Sequence, residues 1–302
     1  MAYDSGYVTN AYELIAKIDA TVTANNWKAV YQRMNSDNKL DLAVWEGIGD
    51  GNDKIYVEMR VLDNERIAVD GLAGYDKYLD YYEQPGSIQQ SLKATIDDTV
   101  DQPMLHTTGN ELFYYWVFVN NYRIICITRM AIQYESLYAG LLLPIASERQ
   151  YPYPMYIAAN TSVKGAEWTS NDSSGSFLFP YKNSGFLRRA DGVWRSFSSK
   201  HLEPDPYSTG TVFPYNAHNK KLIPNYKGAS DSSIVQDNFL LLPVILQTTN
   251  PIDMCGILRD VYWVSGTRDL SAEQTFECEG STYMCFDTKQ FRDSNSYFCV
   301  KM

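Results

Sequence analysis

Carboxylates are the first residues to weigh, because hydrolysis of a glycosidic bond needs an acid and a base or nucleophile a few ångströms apart. Asp97-Asp98 and Glu277 with Glu279 offer such pairs, in a chain with 36 acidic and 26 basic residues. In so acidic a protein, paired carboxylates belong by default to solvated turns and surface strands. Asp50, Asn52 and Asp53 with intervening glycines have the beginnings of a calcium loop, but the glycine at its sixth position and the glutamate at its twelfth are lacking, so a hairpin turn is expected. No G-x-S-x-G nucleophile elbow occurs, and the glycines of "DGLAGYD" lack the spacing of a dinucleotide-binding turn. His106, His201 and His218 are scattered, and Cys126, Cys255, Cys278, Cys285 and Cys299 include no C-x-x-C pair, so no zinc spacing is present. The cysteines read as buried thiols, with Cys278 and Cys299 as a pair able to close in an oxidising medium. No metal, nucleotide or other cofactor is called for.

Bulk composition points away from several other functions. A net charge of −10 and the lack of a Lys/Arg stripe disfavour specific binding of nucleic acid, whose affinity comes from clustered cations. No run of 18 apolar residues suggests a spanning helix, and "MAYDSGYVTN" lacks the features of a secretory leader, so folding in the cytoplasm is expected. The aromatic content of 24 Tyr, 12 Phe and 6 Trp favours association, because tyrosine joins a large apolar face to a polar tip.

Residues 10–26, "NAYELIAKIDATVTANN", place Leu14, Ile15, Ile18 and Val22 on one helical face. Asn10 and Glu13 can cap its start and Asn25-Asn26 can end it in a left-handed turn. From Trp27 the period becomes two, and "DLAVWEGI", "DKIYVEMRVLD" and "RIAVDGLAGYD" predict an antiparallel meander turning at "GDGND" and "LDNER". "ELFYYWVFVNNYRIICITRMAI", residues 111–132, predicts a hairpin at the centre of the sheet, turning at Asn120-Asn121 with positive φ. Strand patterns resume with "FLLLPVILQTT" and continue to the last residues.

Between them, residues 160–238 are rich in Ser, Asn, Asp, Gly and Pro with isolated aromatics. The expectation is a single β-rich α+β domain over 1–302, an antiparallel sheet or sandwich with an amphipathic N-terminal helix, carrying 160–238 as a loop-rich aromatic excursion. Trp168, Trp194, Phe213 and Tyr215 are its candidate interface anchors.

Three segments taken together resemble virion structural proteins of tailed bacteriophages: "MAYDSGYVTNAYELIAKIDATVTANNWKAV", "YWVFVNNYRIICITRMAIQYESLYAGLLLPIASERQYPYPMYIAAN" and "LLPVILQTTNPIDMCGILRDVYWVSGTRDLSAEQTF". Their distinctive parts are Tyr-Pro-Tyr-Pro after "LLLP", and "GILRDVYWVSG". The resemblance implies a non-enzymatic part of the virion's neck, tail or baseplate, present in symmetric copies, whose partners are other virion proteins and copies of itself. In that frame Pro152 and Pro154 keep their segment out of the sheet and launch the excursion, while Tyr151, Tyr153 and Tyr156 pack on one side and present hydroxyls on the other. The alternative is a distal-tail module that binds a receptor or host-surface glycan through the same aromatics.

Overall fold

The computed structural model describes residues 1–50, 53–88, 102–145, 154–160, 176–178, 180, 184–188, 192–196, 210–213, 241–249, 252–265, 271–287 and 296–302. Among these, one α-helix and eighteen strands form a β-dominated α+β fold of three antiparallel sheets.

The helix α1 (Ala11–Ala24) follows the expected logic. Asn10 Oδ1 accepts from the Glu13 N–H at 3.0 Å, and the Glu13 carboxylate accepts from the Thr9 N–H at 2.8 Å. One first-turn donor and the N–H just before the cap are thus both satisfied. The chain leaves the helix through Asn26 at φ 67°. Ala11, Leu14, Ile15, Ile18 and Val22 are buried, and Asp19 on a neighbouring face accepts from Trp45 Nε1 at 2.8 Å, tying helix to sheet.

A five-stranded meander comprises β2 (Lys28–Met34), β3 (Leu40–Asp50), β4 (Asp53–Asp63), β5 (Arg66–Leu72) and β6 (Met104–His106), paired in chain order. The seven-stranded sheet runs β1 (Ala2–Val8), β7 (Phe113–Val119), β8 (Arg123–Met130), β9 (Gln133–Leu141), β10 (Met155–Ala158), β11 (Gly185–Arg188) and β12 (Trp194–Ser196). The six-stranded sheet has the order β13 (Gly210–Phe213), β14 (Leu241–Thr249), β15 (Ile252–Ser265), β18 (Ser296–Lys301), β17 (Ser281–Asp287) and β16 (Thr275–Cys278).

The seven-stranded sheet is the middle layer. Val117, Val119, Ile124 and Cys126 face one core with α1 and the five-stranded sheet, whereas Trp116, Phe118, Ile125 and Ile127 face a second with the six-stranded sheet. Burial on both faces explains why β7 and β8 read as nearly unbroken apolar runs, since neither set of alternate positions in these strands meets water.

Two expectations are corrected. The β7–β8 turn is one residue later than its Asn-Asn signature: the Asn120 N–H donates to the Arg123 carbonyl at 3.1 Å, leaving Asn121-Tyr122 as the loop. Neither residue has positive φ, because the Asn120 carboxamide oxygen closes the turn, accepting from the N–H groups of Tyr122 at 2.9 Å and Arg123 at 3.0 Å. The Pro-rich segment does not stay out of the sheet. The Pro154 carbonyl accepts from the Leu142 N–H at 2.8 Å and the next four residues form β10, between β9 and β11; Pro152 lies outside the described residues. Of 160–238, the described residues include β11, β12, β13 and the buried Phe177 and Leu178, and the rest of that tract lies outside the described residues.

Candidate functional site

Of the interface residues read from the sequence, Tyr151, Tyr153, Trp168 and Tyr215 lie outside the described residues, as do Asp97, Asp98, His201 and His218. Phe213 ends β13, in register with Ile245. Trp194 is not an anchor for a neighbour. It is 2% exposed, its Nε1 donates to the Gly86 carbonyl at 2.7 Å, and its ring occupies the space a side chain at Gly71 would fill. Tyr156 is equally internal, donating its hydroxyl to the Phe177 carbonyl at 2.7 Å. A buried hydroxyl seeks such a partner, so neither ring remains for a second molecule.

The carboxylate candidates that fall on described residues keep their surface reading. Glu277 lies exposed on β16, accepting from the Thr282 hydroxyl, and Glu279 occupies the β16–β17 turn at φ 49°. His106 is a core residue of β6, where burial and the nearby Arg66 guanidinium push its pKa down to about 4. Among the described residues no group of three His, Cys, Asp or Glu side chains converges as a metal would require.

One polar cluster escaped the sequence reading. Tyr31, Val44, Glu58 and Asp70 form a transverse row of register partners across β2, β3, β4 and β5. The row lies on the face of the five-stranded sheet opposite α1, flanked by Leu42, Leu72, Tyr56 and Tyr75. Alternation alone assigns Glu58 and Arg60 to solvent, because Val57 and Met59 point into the core. Instead residues 73–88 fold back over this face. The Asp70 carboxylate accepts from the N–H groups of Gly71 at 2.7 Å and Ile88 at 2.9 Å, the Ala73 N–H donates to the Pro85 carbonyl at 2.8 Å, and Trp194 holds Gly86. Gln84 braces the strap from within, donating to the carbonyls of Asp76 and Leu79. The Arg60 guanidinium stacks on the Tyr81 ring at 3.5 Å.

Covered in this way, Glu58 is 3% exposed. Burial pushes its carboxyl up to about 7 despite the attraction of Arg60 and Arg33. Asp70 is driven well above the carboxylate range, chiefly by burial, with the Ile88 N–H bond working the other way and Glu58 adding repulsion. Burial and their mutual repulsion thus favour the protonated form of both carboxyls.

The opposite character marks one end of the middle sheet. Tyr7, Leu112 and Ile132 are 59%, 64% and 86% exposed, and Leu112 and Ile132 line a shallow depression of ≈ 330 Å³ together with Thr108, Glu111, Met130, Ala131 and Gln133. Ala131, at the β8–β9 tip, has φ 55°, a left-handed conformation that a residue with a Cβ adopts at a cost. Beside this end runs β1, whose outer edge carries no further strand among the described residues. Open β edges next to exposed apolar side chains are the usual ground for association.

No family model matches the chain, and no curated protein matches its sequence. Among the described residues, no helix is long and apolar enough to cross a membrane.

Proposed function

We propose that the chain is a non-enzymatic structural component of a tailed-phage virion, in the neck, tail or baseplate, acting through protein interfaces with copies of itself and with other virion proteins. The observation that carries this reading is the exposed apolar end of the middle sheet, Tyr7, Leu112 and Ile132, beside the open edge of β1. Such a surface gains free energy by being covered. Each aliphatic side chain there, taken fully from water, contributes about 1.5 to 3 kcal/mol, and cyclic symmetry repeats the contact around a ring. The tyrosine-rich composition and the resemblance of the three sequence segments to virion proteins support the same reading.

The test is quantitative mass spectrometry of gradient-purified particles, combined with incorporation of the double variant Leu112→Asp, Ile132→Asp. The chain is expected at a fixed copy number per particle, and the variant is expected to melt like the parent yet incorporate at least tenfold less. Absence of the chain from particles refutes the reading. Presence in particles together with retention of the free protein on host polysaccharide, with the double variant incorporating as well as the parent, would favour a distal-tail receptor module.

A further inference from the structure

The outer face of the six-stranded sheet gathers Cys285 and Cys299 with Val264, Phe276 and Tyr283. The two cysteines are direct partners in the β17–β18 register. Hydrogen bonding defines their pairing type. The Cys285 N–H donates to the Gln274 carbonyl at 2.9 Å, and its own carbonyl accepts from the Glu273 N–H at 2.7 Å, so both backbone groups of Cys285 point away from β18. With respect to β18 the pair is therefore of the non-hydrogen-bonded kind, in which Cα atoms stand about 4.5 Å apart and side chains approach most closely. That spacing falls within the disulfide window of about 4.4 to 6.8 Å. The Cys299 thiol donates to the Tyr262 carbonyl at 3.7 Å.

The pairing expected from sequence, Cys278 with Cys299, is displaced by this geometry. Cys278 belongs to β16, two strands from β18, and two strand spacings are roughly 9 to 10 Å, beyond what a disulfide spans. Cys126 is buried in the other core, and Cys255 packs at the margin of the core between the middle and six-stranded sheets.

We propose that Cys285 and Cys299 are a built-in dithiol that closes to a cross-strand disulfide on exchange with a low-molecular-weight disulfide, fastening β17 to β18 and leaving Cys126, Cys255 and Cys278 as thiols. One cysteine thiolate attacks the small disulfide, forming a mixed disulfide and releasing one small thiolate. The second cysteine thiolate attacks the protein-side sulfur and releases the other. Two protein thiols are oxidised, two small thiols are produced, and the two protons pass to the leaving thiolates. Both cysteines are fully buried, and burial holds the Cys299 thiol well above its ordinary value. Closure is therefore slow in the folded protein and proceeds during folding or sheet opening.

The test is refolding of the reduced full chain in a glutathione buffer, from mostly reduced to mostly oxidised, followed by thiol trapping and tryptic mapping. Lys289 and Arg292 lie between the two cysteines, and a second cleavage after Glu279 parts Cys285 from Cys278, so a linked pair of peptides reports which cysteine is joined to Cys299. The expected result is one dominant link, Cys285 to Cys299, with a Tm about 5 °C above the reduced form for a loop of this length. Cys285→Ala and Cys299→Ala should each abolish the link. A dominant link through Cys278, or five free thiols in fully oxidised glutathione, overturns the proposal, and neither result depends on a variant folding.

Discussion

Glu58→Gln changes one atom in the buried row and removes one titration. In the folded protein the carboxyl is pushed up from 4.5 to about 7, while the unfolded chain returns it to the ordinary value. The native state therefore holds the proton more tightly, and its contribution to stability is fully present below about 4.5 and lost as pH rises through about 7. That rise corresponds to about 3 kcal/mol, or about 5 °C in Tm for a chain of this size. The groups around it are Asp70, which shifts in the same direction, the cations Arg60 and Arg33, and the Tyr75 hydroxyl, which burial raises to about 12. Urea unfolding at pH 5 and pH 8 is the assay. The parent should lose at least about 3 kcal/mol between the two, and Glu58→Gln should lose less and exceed the parent at pH 8. Equal pH dependence in both proteins would refute the reasoning. So would a variant less stable than the parent at pH 8 alone, because that result means an ionised Glu58 earning its place against Arg60 and Arg33.

Trp194→Phe should cost about 1 kcal/mol for the lost bond to Gly86, whereas Trp194→Ala should cost about 3 to 5 kcal/mol by urea unfolding. Hydrogen exchange at Ile88 should rise in both variants, since the same strap carries that amide. Gly140→Ala would place a Cβ 2.4 Å from Arg123 Cβ and 2.6 Å from Arg123 Cα, where β8 cannot yield. A loss of at least about 1 to 3 kcal/mol is expected, read as a lowered urea midpoint.

What was legible in the sequence was local. The cap of α1 uses Asn10 and Glu13, and the meander turns where "GDGND" and "LDNER" fall, because both depend on residues a few positions apart. Strand order was not legible. β10 inserts beside β9 although two prolines precede it, and β18 lies between β15 and β17. Those placements follow from which apolar faces remain uncovered once the first sheets form, and that is a non-local quantity. The same limit hid the carboxyl pair. Glu58 and Asp70 sit at positions that alternate with core residues, and only the return of residues 73–88, held by Trp194 more than a hundred residues on, turns that face inward.

The two ends of the middle sheet differ in a way that bears on assembly. At the β7–β8 turn, Asn120 and Arg123 pin all three layers. The Asn120 carbonyl accepts from Trp27 Nε1 at 2.7 Å and the Asn121 carbonyl accepts from the Gly49 N–H at 3.1 Å, both on the side of the five-stranded sheet. Toward the six-stranded sheet, Asn120 Nδ2 donates to Asp260 at 2.6 Å, and the fully buried Arg123 donates to the Arg259 carbonyl at 3.1 Å. A second bond, to the Phe118 carbonyl at 3.2 Å, helps satisfy a guanidinium whose pKa burial lowers. The opposite end, where β1 finishes and β7 begins, carries Tyr7, Leu112 and Ile132 in the open. Strands fixed at one end by three layers of hydrogen bonds present those side chains in a set geometry at the other. Binding there forfeits little conformational entropy, so a modest apolar contact yields more net affinity than the same residues on a free loop.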